Sequence, residues 1–136
     1  MLREKVDVID GYEVIVLDSA SQIRVEDKGR VVIAASNGGR ESGRAAILAG
    51  CALVVFNDAG VGKERAGVIG LDLIDERGIP GMAVSHDSAE ISDGLGTWNH
   101  GILSCVNEAA AALGVSEGMS VRDAVNRVCE VWKERS

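Results

Sequence analysis

Arg30-Val31-Val32-Ile33-Ala34-Ala35-Ser36-Asn37-Gly38-Gly39-Arg40-Glu41-Ser42 changes character at its midpoint, and the fold class follows from that change. Its first half is a continuous apolar run, the pattern of a strand covered on both faces rather than one that alternates between core and water. Its second half is a small polar turn. Helix formers Ala45, Ala46 and Leu48 follow as far as Gly50, which stands where a helix carboxyl cap is expected.

The same unit recurs downstream. Cys51-Ala52-Leu53-Val54-Val55-Phe56 runs into Asn57-Asp58-Ala59-Gly60-Val61-Gly62-Lys63, after which Val68, Leu71, Leu73, Ile74 and Arg77 predict a helix closed by Gly78. Gly81-Met82-Ala83-Val84 then ends in Ser85-His86-Asp87-Ser88, with Pro80, the single proline, at the strand entrance where its missing donor is tolerated. Upstream, Glu13-Val14-Ile15-Val16-Leu17 reads as a strand opening into Asp18-Ser19-Ala20-Ser21, and residues 1–12 as an arm or a first short strand.

After Asp93-Gly94-Leu95-Gly96, the spacing of Ile102, Leu103, Val106, Ala109, Ala110 and Leu113 predicts one helix from about Asn99 to Leu113, ended by Gly114. Ser120 caps a last helix that presents Val121, Ala124, Val125, Val128 and Trp132.

Strand and helix thus alternate, and each crossover is long enough to return the chain to the same sheet edge. The expected architecture is a single α/β domain over residues 1–136. It is a three-layer α/β/α sandwich with a mainly parallel sheet of about four strands, flavodoxin- or Rossmann-like. The alternative is a β/β/α layout in which N-terminal antiparallel strands cover one sheet face. In either, parallel strands place the three polar turns on one edge, where a ligand pocket is expected.

Composition narrows the chemistry. The net charge of -7 over 136 residues, with no basic cluster, argues against nucleic acid as a partner. The first residues lack an apolar signal core and no stretch reaches the length of a membrane span, so a cytoplasmic protein without a membrane partner is expected. Cys51, Cys105 and Cys129 are odd in number and embedded in apolar segments, which reads as buried reduced thiols.

Within the first turn, Ser36, Asn37, Gly38, Gly39 and Arg40 form a candidate anion cradle, because glycines let backbone N–H groups turn inward at a helix amino end. Asn57, Gly60, Gly62 and Lys63 form the second candidate wall. The second turn is not a phosphate-binding P-loop: Asn57 stands where the first glycine belongs, and Glu64 replaces the magnesium-binding hydroxyl residue. Arg65 likewise interrupts a dinucleotide fingerprint, so no nucleotide cofactor and no hydride chemistry are expected.

His86 emerges from a strand end, where a proton can be exchanged near neutral pH, and Asp58 is the candidate second catalytic group. Ser85, Asp87 and Ser88 surround the histidine in sequence, Asp93 is a further carboxylate, and Trp98 is expected to cover the pocket as part of a glycine-hinged lid. His86, Asp58 and Asp93 could together face a divalent metal, but their spacing is not diagnostic of one, and no metal ligands are assigned.

These residues predict a small enzyme, or enzyme subunit, that acts on a small carboxylate or phosphate metabolite by acid/base chemistry. A non-catalytic metabolite-binding or assembly module is the alternative. A homo-oligomer is expected, through the apolar face of the last helix and Trp132.

Overall fold

The computed structural model describes residues 1–136. At its centre lies a six-stranded sheet whose strands stand side by side in chain order: β1 (Arg3–Ile9), β2 (Tyr12–Leu17), β3 (Val31–Asn37), β4 (Leu53–Asn57), β5 (Gly81–Val84) and β6 (Leu103–Val106). β2 through β5 are parallel, while β1 and β6 run antiparallel to their neighbours at the two edges. The fold is mixed α/β, with a sheet larger than the four strands expected.

Five α-helices accompany it: α1 (Arg40–Ala49), α2 (Ile69–Asp75), α3 (Gly94–His100), α4 (Glu108–Ala111) and α5 (Val121–Arg135). The crossovers from β3 to β4 and from β4 to β5 move in one direction, and keeping one hand places both of their helices on the same face. There α1 and α2 enclose a cluster that includes Ile15, Leu17, Val32, Ala34, Val54, Phe56, Leu71 and Ile74. Alternate strand residues, among them Val14, Val16, Ile33, Val55 and Val84, point to the other face and meet Trp98, Val121, Val125 and Val128. β3 and β4 read as unbroken apolar runs because both of their faces are buried. No helix is long and apolar enough to cross a membrane.

Three sequence expectations are corrected. The strand order has no reversal, so the chain departs from flavodoxin and Rossmann sheets and has no topological switch point. β1 does not cover a sheet face: Asp10 and Gly11, with φ of 51° and 87°, form a two-residue hairpin that adds β1 to the edge beside β2. The predicted helix over residues 99–113 is instead α3, β6 and α4.

The physical cause of the last correction is Gly101. A side-chain carbon there would lie 2.5 Å from the Thr97 carbonyl and 2.6 Å from Val84, so the chain passes hard against the sheet before pairing with β5. The apolar spacing of Ile102, Leu103 and Val106 matches a helix, yet Leu103 is buried as a strand residue and Ile102 remains exposed.

The candidate active site at the strand tips

Asn37 pairs with Asn57 across β3 and β4, and Asn57 with Val84 across β4 and β5, so the three polar turns leave the sheet at one edge. They divide into two neighbouring features. One is a cavity of about 880 Å³ at the start of α1, and the other is a cluster around Asp58 and His86.

Ser36, Asn37, Gly39, Arg40 and Lys63 line the cavity, together with Ser19, Ser21, Glu41, Ser42 and Glu64. The two glycine amides do not face it as a cradle. Gly38 donates to the Gly67 carbonyl at 2.8 Å, and Gly39 donates to Asn37 Oδ1 at 3.0 Å. The next three amides, of Arg40, Glu41 and Ser42, have no acceptor in the chain, as the first turn of a helix requires. Arg40 and Lys63 form no ion pair, whereas Arg44 is held by Glu41 at 2.6 Å. The cavity therefore combines free helix-end donors and two free cations with two carboxylates, Glu41 held by Arg44 and Glu64 unpaired.

Asp58 is the centre of the second feature. Its side chain is 7% exposed and receives Ser104 Oγ at 2.6 Å on Oδ2, while Oδ1 accepts from the Gly60 amide at 2.7 Å and the His86 amide at 3.1 Å. His86 Nδ1 lies 3.3 Å from the same Oδ1, and the ring is half exposed. Burial alone would push the Asp58 carboxyl up. The hydrogen bonds from Ser104, Gly60 and His86 outweigh it and hold the group below the usual carboxylate range. Asp87 is also near the ring, its Oδ1 3.4 Å from Nε2.

The segment between Asp58 and Gly67 joins the two features: Gly60 lies against the His86 ring, and Lys63, Glu64 and Ala66 line the cavity. Its backbone is unusual. Ala59, Gly60, Val61, Gly62, Glu64 and Arg65 have φ between 51° and 77°, a region costly to residues with a side chain and more so to a β-branched valine. Internal bonds pin the turn, including Val61 N to Asp58 O at 2.6 Å and Gly67 N to Val61 O at 2.7 Å.

Other predicted residues fall outside both features. Asn57 is wholly buried and spends its amide on the Ala89 carbonyl and the Ala59 N–H. Ser85 Oγ accepts from the Asp87 amide, and Ser88 ties the same turn to Ile102. Asp93 caps α3 through the Gly96 amide. Trp98 is no lid: it is 4% exposed in the core, with the Arg122 guanidinium 5.0 Å above its ring. Its apolar body fills the space between α3 and the sheet, which leaves nothing to swing over a pocket.

Two elements of the site escaped the sequence reading. Ser19 and Ser21 follow β2 just as the other turns follow their strands, so the same rule could have included them. Ser104 carried no such signal, because it lay inside a segment with helical spacing. No protein-family model matches the chain, and no curated protein and no solved structure matches it.

Proposed function

We propose that the protein is a small enzyme, or an enzyme subunit, that acts on a small carboxylate or phosphate metabolite by proton transfer. The free amides of α1 with Arg40 and Lys63 hold the anion, and His86 backed by Asp58 exchanges the proton. The single observation behind the assignment is the Asp58 carboxylate, buried and kept ionised beside a half-exposed imidazole. An ionised carboxylate only accepts hydrogen bonds, and Asp58 is bonded to Nδ1 whereas Asp87, 3.4 Å from Nε2, makes no hydrogen bond to the ring, so the proton is assigned to His86 Nδ1 and Nε2 is left to act as base.

The helices on the two sheet faces support reading the molecule as a three-layer α/β/α sandwich. Three unpaired thiols support a reducing compartment such as the cytoplasm. Burial, then the Asp27 charge, pushes the Cys51 thiol up to about 12, and burial pushes Cys129 up to about 11, so neither supplies a nucleophile near neutral pH. A homo-oligomer belongs to the same proposal, although α5 does not offer its surface, since Val121, Ala124, Val125, Val128 and Cys129 already face this chain's own sheet.

One observation favours the second reading, a non-catalytic metabolite-binding module: neither His86 nor Asp58 lines the cavity. The experiment that separates the two is a panel of small phosphates and carboxylates assayed for binding and turnover. The enzyme reading expects His86→Ala to lower turnover about 100-fold or more with affinity nearly unchanged. A ligand that binds wild type and is never converted would establish the module instead.

A further inference from the structure

β6 contains a local irregularity that is aimed at the candidate catalytic pair. Ala83 of β5 faces Cys105 and the next residue, Val84, faces Leu103, so Ser104 is an extra residue with no partner across the ladder. Such a bulge bends a strand and redirects one side chain. Here the redirected Ser104 hydroxyl passes the end of β5 and reaches Asp58 at the tip of β4, two strands away.

We propose that Ser104 is a positioning residue, whose hydroxyl locks the Asp58 carboxylate so that its other oxygen holds His86 with hydrogen on Nδ1, in preference to Nε2, which lies 3.4 Å from Asp87 Oδ1 without a hydrogen bond to it. The inference rests on the reading of His86 as proton carrier and assigns the residue that orients it. Ser104 Oγ lies 2.6 Å from Asp58 Oδ2 but 3.5 Å from the Ala83 carbonyl, and its one proton goes to the nearer, charged acceptor. With Oδ2 anchored, Oδ1 faces Gly60 N and two of the three His86 nitrogens, its amide and Nδ1.

The alternative role, a serine nucleophile, does not fit. Ser104 Oγ is bonded to a carboxylate rather than to the imidazole, and that carboxylate is already satisfied by three further hydrogen bonds. The proton of Ser104 is a tether.

The tautomer of His86 can be read directly from its ring nitrogen chemical shifts in the full-length protein, at a pH where the ring is neutral and without any substrate. His100 is the only other histidine, and His100→Gln removes its signals. Wild type should show Nδ1 protonated and Nε2 bare. Ser104→Ala should lose that preference and move toward the Nε2–H form, and Ser104→Thr, which keeps the hydroxyl, should restore it. If Ser104→Ala does not fold, Ser104→Cys, of similar size with a weaker donor, is read in its place and should show the same loss.

An unchanged Nδ1–H signature in the folded Ser104→Ala or Ser104→Cys protein overturns the proposal, as does a wild-type ring protonated on Nε2. Failure of the underlying enzyme reading looks different: the tautomer pattern holds across the variants while the panel of phosphates and carboxylates shows binding to wild type without turnover.

Discussion

Ala59 stands at φ 51° on the surface of the segment that links the cavity to His86, a conformation that glycine adopts without cost. Elsewhere, replacing alanine by glycine lowers stability by about 0.5–1 kcal/mol. Here relief of a strain worth about 1–2 kcal/mol exceeds that loss, so Ala59→Gly should raise stability by about 0.5 kcal/mol in urea unfolding. A loss of the ordinary size would show that the left-handed turn does not persist in solution.

Asp27 is a second residue whose role is decided by burial. Its side chain is wholly buried, paired with Arg3 and lying 3.4 Å from Arg30, so it fastens β1 to the short turn after β2. Asp27→Ala leaves Arg3 without its partner in a mostly buried place and should cost about 3 kcal/mol. Burial pushes the Asp27 carboxyl up, but Arg3, the Arg24 amide and Arg30 together hold it below the usual range. Asp18 is lowered by the Leu2 and Gly94 amides, and Asp58 by the bonds described above.

The sign of the pH dependence follows from these three. A carboxyl whose folded pKa is depressed adds stability that is complete above its unfolded value of about 3.9 and is lost as pH falls through the folded value. Unfolding free energy measured between pH 7 and pH 2 should therefore be flat at first and fall below about pH 4. The decline should be shallower in Asp27→Asn.

At the scale of elements, what could be read from the sequence depended on whether local chemistry and burial pointed the same way. β5 at Gly81–Val84 and the end of α1 at Gly50 were legible, because Pro80 and a left-handed glycine mark them whatever packs around them. The last helix was legible at its start, where Ser120 Oγ accepts from the Asp123 amide at 3.1 Å. Ser120→Ala should cost about 1 kcal/mol, read as a shift in the denaturation midpoint. A neutral effect would mean that this cap does not form.

The helix expected over 99–113 failed for a specific reason. Leu103, Val106, Ala110 and Leu113 face one apolar cluster, but they reach it from a strand and then a short helix, and spacing alone cannot separate the two. The first hairpin had a legible signal, Asp10-Gly11 between Ile9 and Tyr12, obscured by the charges of Arg3, Glu4, Lys5 and Asp7. Those charges sit on an edge strand, where they discourage pairing with other chains.

Seen as a whole molecule, the sheet sets where chemistry is available. Parallel strands deliver Ser36, Asn37, Asp58 and Ser85 to one edge, which composition and turn residues announced without coordinates. What they could not announce is the division at that edge. Asn57, Asp93 and Ser88 are consumed by the protein's own hydrogen bonds, and Trp98 by its core, because a polar or aromatic residue at a turn satisfies the chain before it serves a ligand. Ser104 enters from an antiparallel strand two positions away, a contact that only the bulge in β6 creates.

At this edge the start of α1 is proposed to hold a small anion. Titration of the protein with inorganic phosphate, followed by amide chemical shifts, should give saturable shifts concentrated on Arg40, Glu41 and Ser42, abolished in the Arg40→Ala, Lys63→Ala double variant. Shifts scattered over the surface, or unchanged in that folded variant, would contradict it.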